Sequence, residues 1–124
     1  MAQIKVVVKE PGKPAEVKEI ENDWLTFKDL IGCEIFSSVT IGAGIIMYID
    51  DVGKLKDLPF NFRLGTSDYV VGNAVFFSND GGEDEQSLTD NQIEYLTLCF
   101  GRDFLPCLKP NADLDLILKY LKRG

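Results

Sequence analysis

The sequence predicts an α+β domain, a mostly antiparallel sheet of about five strands with roughly two to three helices in the order ββαββ, loop, βαα. Three observations carry that prediction. β-Branched runs come in pairs joined by short turns rich in glycine or proline. Apolar residues recur at helical spacing in stretches bounded by capping residues, glycine or proline. The chain has 124 residues, the size of one core, so residues 1–124 are expected to form a single domain with 111–124 as a C-terminal helical arm.

Taken in order, residues 4–9 (IKVVVK) end at the turn Glu10-Pro11-Gly12-Lys13-Pro14 and are followed by EVKEIE at 16–21, a hairpin by spacing. Asn22 or Asp23 can cap a helix whose apolar positions Trp24, Phe27, Leu30 and Ile31 share one face, and Gly32 ends it. That spacing assigns Trp24 and Phe27 to the core. EIFSSVTI at 34–41 sets Ile35, Ser37, Val39 and Ile41 on one face, and Gly42-Ala43-Gly44 turns it into IIMYID at 45–50, a second hairpin. Residues 55–68 (LKDLPFNFRLGTSD) show no clean period and read as an ordered loop. YVVGNAVFFS at 69–78 reads as one strong strand with Gly72 as a bulge or close-approach point. Asn79-Asp80-Gly81-Gly82 is a turn. Thr89 and Gln92 fit a capping box opening a helix through Ile93, Leu96 and Phe100, stopped at Gly101. ADLDLILKYLKR at 112–123 forms a last amphipathic helix with the stripe Leu114, Ile117, Leu118 and Leu121.

Composition narrows the function classes. Hydrophobic residues at 45% and charged residues at 27% are those of a folded domain. The net charge is −7 and there is no histidine, which removes imidazole bases, Ser-His and Cys-His pairs and His metal sites. An acidic chain is a poor binder of duplex nucleic acid. The three cysteines, Cys33, Cys99 and Cys107, are odd in number and widely spaced, so they read as reduced thiols with no disulfide framework or zinc site. No signal-like stretch opens the chain, and the apolar run Ile41 to Ile49 is less than half of the ~20 residues a membrane helix needs. A cytoplasmic binder without catalytic residues, metal or cofactor, and with no membrane partner, is expected.

Charge is uneven along the chain. Residues 80–101 hold six acids and no base, whereas residues 102–124 hold five bases and three acids. That basic tail either reaches over a pocket to neutralise an anion or, in Lys119, Lys122 and Arg123, complements a helix dipole. Asp50-Asp51 and Glu83-Asp84-Glu85 read as solvated turns, not metal ligands. Arg63 is one of only three arginines and stands beside Phe60, Asn61 and Phe62. A guanidinium suits bidentate phosphate contact and an aromatic ring suits a nucleobase. The competing reading has Phe60 and Phe62 capping the core and Arg63 pairing with a surface carboxylate. Arg102, beside Phe100 and Phe104, is the second such grouping, and Asn61 or Asn73 can read a polar edge. The candidate ligand-binding residues are therefore Phe60, Asn61, Phe62, Arg63, Asn73, Phe100, Arg102 and Phe104.

Over residues 4–100 the chain resembles a family of phage and mobile-element proteins known as a domain of unknown function. The resemblance rests on the opening strand with Glu10-Pro11-Gly12-Lys13-Pro14, on Leu30-Ile31-Gly32, and on Gly53-Lys54-Leu55-Lys56-Asp57-Leu58-Pro59 followed by Asn61 and Arg63. It rests also on Val70-Val71-Gly72-Asn73-Ala74 and on Glu83-Asp84-Glu85-Gln86-Ser87-Leu88-Thr89-Asp90. Here Phe62 separates Asn61 from Arg63, where relatives have the two adjacent. Within that neighbourhood the chain is similar to phage anti-defence sponge proteins that counter the Thoeris system by sequestering a cyclic ADP-ribose signal without degrading it. The resemblance implies a homo-oligomer in the host cytoplasm, with pockets between protomers closed by a C-terminal segment, and a small nucleotide partner: a cyclic ADP-ribose isomer or another cyclic nucleotide. Adenine and pyrophosphate call for the stacking rings and cations already singled out. The alternative is an acidic protein–protein inhibitor that mimics nucleic acid against a host defence or regulatory protein.

Overall fold

β-Branched residues suit a pleated, half-buried surface, and the first two such runs form the hairpin expected of them, β1 (Gln3–Lys9) and β2 (Glu16–Glu21). A computed structural model describes residues 3–79, 82, 84–102, 104–106 and 108–123. The other elements are α1 (Trp24–Ile31), β3 (Phe36–Gly42), β4 (Ile45–Asp50), β5 (Phe60–Leu64), β6 (Asp68–Val71), β7 (Ala74–Ser78), α2 (Asp90–Phe100), β8 (Phe104–Leu105) and α3 (Leu114–Arg123). The strands build an antiparallel five-stranded sheet in the order β2-β1-β7-β4-β3 and a mixed three-stranded sheet in the order β6-β5-β8. The fold is α+β. Of the predicted features, the turn at Asp80 and Gly81, the acid Glu83, the thiol of Cys107 and the Arg123 side chain lie outside the described residues.

The central strands explain why their sequences read as continuous apolar runs. Every residue of β7 is buried, because Phe76 faces α2 and the small sheet while Val75 and Phe77 face α1. One core holds Val7, Met47, Phe62, Phe76, Leu96 and Phe100; the other holds Val6, Val8, Phe27, Ile31 and Phe77. The sheet separates the two. α1 is capped as expected, with the Asp23 carboxylate accepting from Thr26 N–H at 2.7 Å and Gly32 closing it at φ 79°. The Thr89–Gln92 capping box of α2 is complete.

The structure departs from the sequence reading in five places. Residues 55–68 are not one loop, since they contain β5. The predicted strand 69–78 is two strands in different sheets, β6 and β7, parted at Gly72. There φ is 72° and a Cβ would meet Leu58 Cδ1 at 2.8 Å, so glycine turns the chain from one sheet into the other without the strain a side chain would bring. β8 was also unforeseen; a two-residue strand leaves no periodic signature. Trp24 is 54% exposed while Phe27 is buried, because a helix this short has only one narrow stripe against the sheet. Asp50 is no solvated turn residue: its carboxylate is buried, lies 2.7 Å from Lys56 Nζ and accepts from Val52 N–H.

The C-terminal stripe is covered inside the chain. Leu118 is buried, and Leu114, Ile117 and Leu121 pack on the larger core. Lys122 pairs with Glu94 of α2 at 3.0 Å, and Asn91 donates a hydrogen bond to Asp115. The large apolar residues of α3 left exposed are Leu116 and Tyr120. No helix among the described residues is long and apolar enough to cross a membrane.

Candidate functional site

Alternation along a strand sends neighbouring residues to opposite faces, and in β5 it divides the predicted cluster. Leu64 and Phe62 point into the larger core, whereas Arg63 points out. Register then places Tyr69 of β6 opposite Arg63 on one side and Phe104 of β8 opposite it on the other. The outer face of the small sheet thus carries one row, Tyr69–Arg63–Phe104, with all three side chains exposed. Two strand spacings, about 10 Å, separate its ends. Phe60 extends the row, its ring centroid 6.3 Å from that of Tyr69.

Lys54 reaches the same face from the preceding turn. Its Nζ sits 4.2 Å from the Tyr69 ring centroid and 2.8 Å from Asp68 Oδ1. That hydrogen bond holds the Asp68 carboxyl below the usual carboxylate range and raises Lys54 above the usual lysine value. Both groups are charged at neutral pH and engage each other. Arg63 has no carboxylate partner within ion-pair distance among the described residues, so the reading that it pairs with a surface acid finds no support there.

Beyond Phe104 the face runs into a groove of about 420 Å³ between α2, β8 and α3, within the size range of small-ligand sites. Leu98, Cys99, Leu108, Ile117 and Phe104 make it largely apolar, and Arg102 brings a guanidinium to it just past the end of α2. Burial pushes the Cys99 thiol up, more than the Tyr95 hydrogen bond and the Arg102 charge pull it down. Cys99 is therefore a protonated lining group with no nucleophilic thiolate. Phe104 belongs to both surfaces. The arrangement offers planar stacking faces, a shallow apolar recess and two arginines, Arg63 paired with Phe104 across the strands and Arg102 lining the same groove as Phe104. No cluster among the described residues has the side chains to hold a metal ion.

A family model matches residues 4–101, nearly the whole of the chain up to the end of α2. The chain belongs to the DUF3846 family, a domain of unknown function. The DUF3846 segment includes Phe60, Arg63 and Tyr69, whereas Arg102, Phe104 and α3 follow it. No curated protein and no solved structure matches the chain.

Of the residues singled out in the sequence, the structure brings Phe60, Arg63, Phe104 and Arg102 to one side of this DUF3846 protein. It keeps four others away. Phe62 is fully buried and Phe100 nearly so, their ring centroids 4.8 Å apart within the core. Asn61 is buried at a bulge in β5; its Nδ2 donates to Lys9 O and Gly72 O, and its Oδ1 accepts from Lys9 Nζ at 3.0 Å. Asn73 donates to Leu30 O on the far side of the large sheet. Phe62, Phe100 and Asn61 are buried in the fold, and Asn73 is half-buried where it bonds to α1. Sequence reasoning missed Tyr69 and Lys54. The signal lay in Asp68-Tyr69 as the start of a strand antiparallel to FNFRL, legible only once residues 60–64 are themselves seen as a strand.

Proposed function

We propose that this protein binds and sequesters a small anionic nucleotide of the cyclic ADP-ribose type without degrading it, acting as a phage anti-defence sponge in the host cytoplasm. The observation that carries the reading is the exposed row Tyr69–Arg63–Phe104, a guanidinium flanked by two aromatic rings on an open sheet face. A nucleobase stacks on one ring while the phosphates meet Arg63 bidentately, and Arg102 supplies a second cation beside Phe104. The local positive charge works against an overall charge of −7 because binding reads the groups within a Debye length, about 8 Å at physiological salt. A chain with no histidine suits a task that is binding alone.

The test is to incubate the protein with extract from signal-producing cells, denature it and identify what it releases by mass spectrometry. Unchanged cyclic nucleotide is the expected result. Release of a hydrolysed product would make the protein an enzyme. If cyclic ADP-ribose isomers and cyclic oligonucleotides give no heat in calorimetry while a host protein co-purifies, the acidic-inhibitor reading replaces this one.

A further inference from the structure

The two outer edges of the five-stranded sheet differ in charge. β2 carries Glu16, Lys18, Glu19 and Glu21, the kind of charged guard that keeps an exposed edge from pairing. β3 (FSSVTIG) carries neither charge nor proline, and the sequence has no charged residue from Ile35 to Ile49, its longest such run. Asp51 N–H donates to Ile35 O at 3.2 Å, so these two form a hydrogen-bonded pair of the β3–β4 ladder. Alternation then turns Ser37 and Val39 toward β4 and leaves the N–H and C=O groups of Phe36, Ser38 and Thr40 facing away from the sheet. Leu108 N–H on Ile41 O and Ala43 N–H on Lys109 O cover the Gly42 end. Among the described residues no segment covers Phe36 to Thr40.

Apolar side chains flank that opening on both faces. On one, Trp24 lies 5.8 Å from Phe36 by ring centroids; Ile35, just before the strand and of opposite alternation to Phe36, is 67% exposed. On the other, exposed Val52 and Leu55 share a cleft with Ser37 and Val39. We propose that β3 pairs antiparallel with β3 of a second copy across a twofold axis near Ser38, joining the two large sheets into one. Such an axis sets Ser38 against its counterpart and Phe36 against Thr40, small and apolar pairs that a sheet accommodates. Two copies of net charge −7 repel each other over most of their surface, and this edge is where they meet without opposing carboxylates. A strand edge alone falls short of the roughly 800 Å² per partner of a stable interface; Trp24, Ile35, Val52 and Leu55 extend it.

Sedimentation of the full chain at concentrations on the order of 100 μM, where even a weak dimer is populated, should give twice the chain mass of 13.9 kDa. Ser38→Lys sets two ammonium groups face to face and should return the mass to one chain, with circular dichroism unchanged because Ser38 is exposed. Val17→Lys, on the β2 edge, should leave the dimer intact. Amide exchange at Phe36, Ser38 and Thr40 should slow as wild-type concentration rises. A wild type that sediments as one chain overturns the proposal, including one that takes up a foreign peptide strand at this edge instead. So does a dimer that persists in folded Ser38→Lys. Arg63→Ala should not change the mass, which separates this test from that of the ligand site.

Discussion

The two faces of the three-stranded sheet are built from the same few residues and do opposite work. On the inner face Phe62, Leu64, Val70 and Leu105 are buried; on the outer face Phe60, Arg63, Tyr69 and Phe104 are exposed. Phe62 and Arg63 are adjacent in sequence, yet one is core and the other faces solvent. A cluster of promising residue types is therefore not a site until strand alternation has sorted it. The inner face fixes the register, and the register places Arg63 between two rings.

The contrast breaks most visibly in stability. Phe62→Ala should cost about 3–5 kcal/mol, since it empties a closely packed core position. Phe104→Ala, on the outer face, should stay within about 0.5 kcal/mol; urea titration of both variants measures the difference. Asn61→Ala should cost roughly 1–3 kcal/mol, because it removes the donors that Lys9 O and Gly72 O accept in a buried place. A matching loss of nucleotide affinity with no loss of stability would instead put Asn61 in the binding site.

Arg63→Ala should leave the denaturant midpoint unchanged and weaken nucleotide binding by about ten- to a hundredfold, the range of one charge-assisted contact. Arg63→Lys should recover part of that, since it restores the charge without the planar fork. Isothermal calorimetry with a cyclic ADP-ribose isomer reads both. Equal affinity in wild type and Arg63→Ala would move the ligand off the outer face.

The smallest effect belongs to Tyr48, half-buried on the other side of the large sheet. Its hydroxyl donates to Glu85 Oε2 at 2.8 Å, and burial pushes the phenol well above its ordinary value of 10.0. The folded state thus holds that proton more tightly than the unfolded chain. The contribution is complete below pH 10 and fades as the pH climbs from there toward the folded value. Tyr48→Phe cannot titrate there, so its thermal midpoint should fall less steeply than the wild type's in alkaline buffers.

Local chemistry made much of the fold legible. The β1–β2 and β3–β4 hairpins, the caps of α1 and α2 and the stripe of α3 each follow from residues within a few positions of one another. β5 and β8 were not legible for the same reason. β5 has a bulge between Phe60 and Phe62 that spoils its period, and β8 is held by pairing with a segment far away in the chain. Of the candidate site, Phe60, Arg63, Arg102 and Phe104 were recoverable from residue type alone. Asn61, Phe62, Phe100 and Asn73 carry equally suitable chemistry and lie elsewhere, and in the sequence Tyr69 reads as one residue of a long strand.

By itself the sequence determined the α+β class, the limits of the hairpins and helices, and the lack of histidine chemistry, because those depend on propensity, capping and composition. Only the tertiary structure decided that Gly72 divides one apolar run between two sheets and that the C-terminal stripe is covered by its own chain. It alone set Arg63 between Tyr69 and Phe104. Which face a residue takes depends on pairing between strands distant in the chain, and a one-residue slip of that register would reverse it.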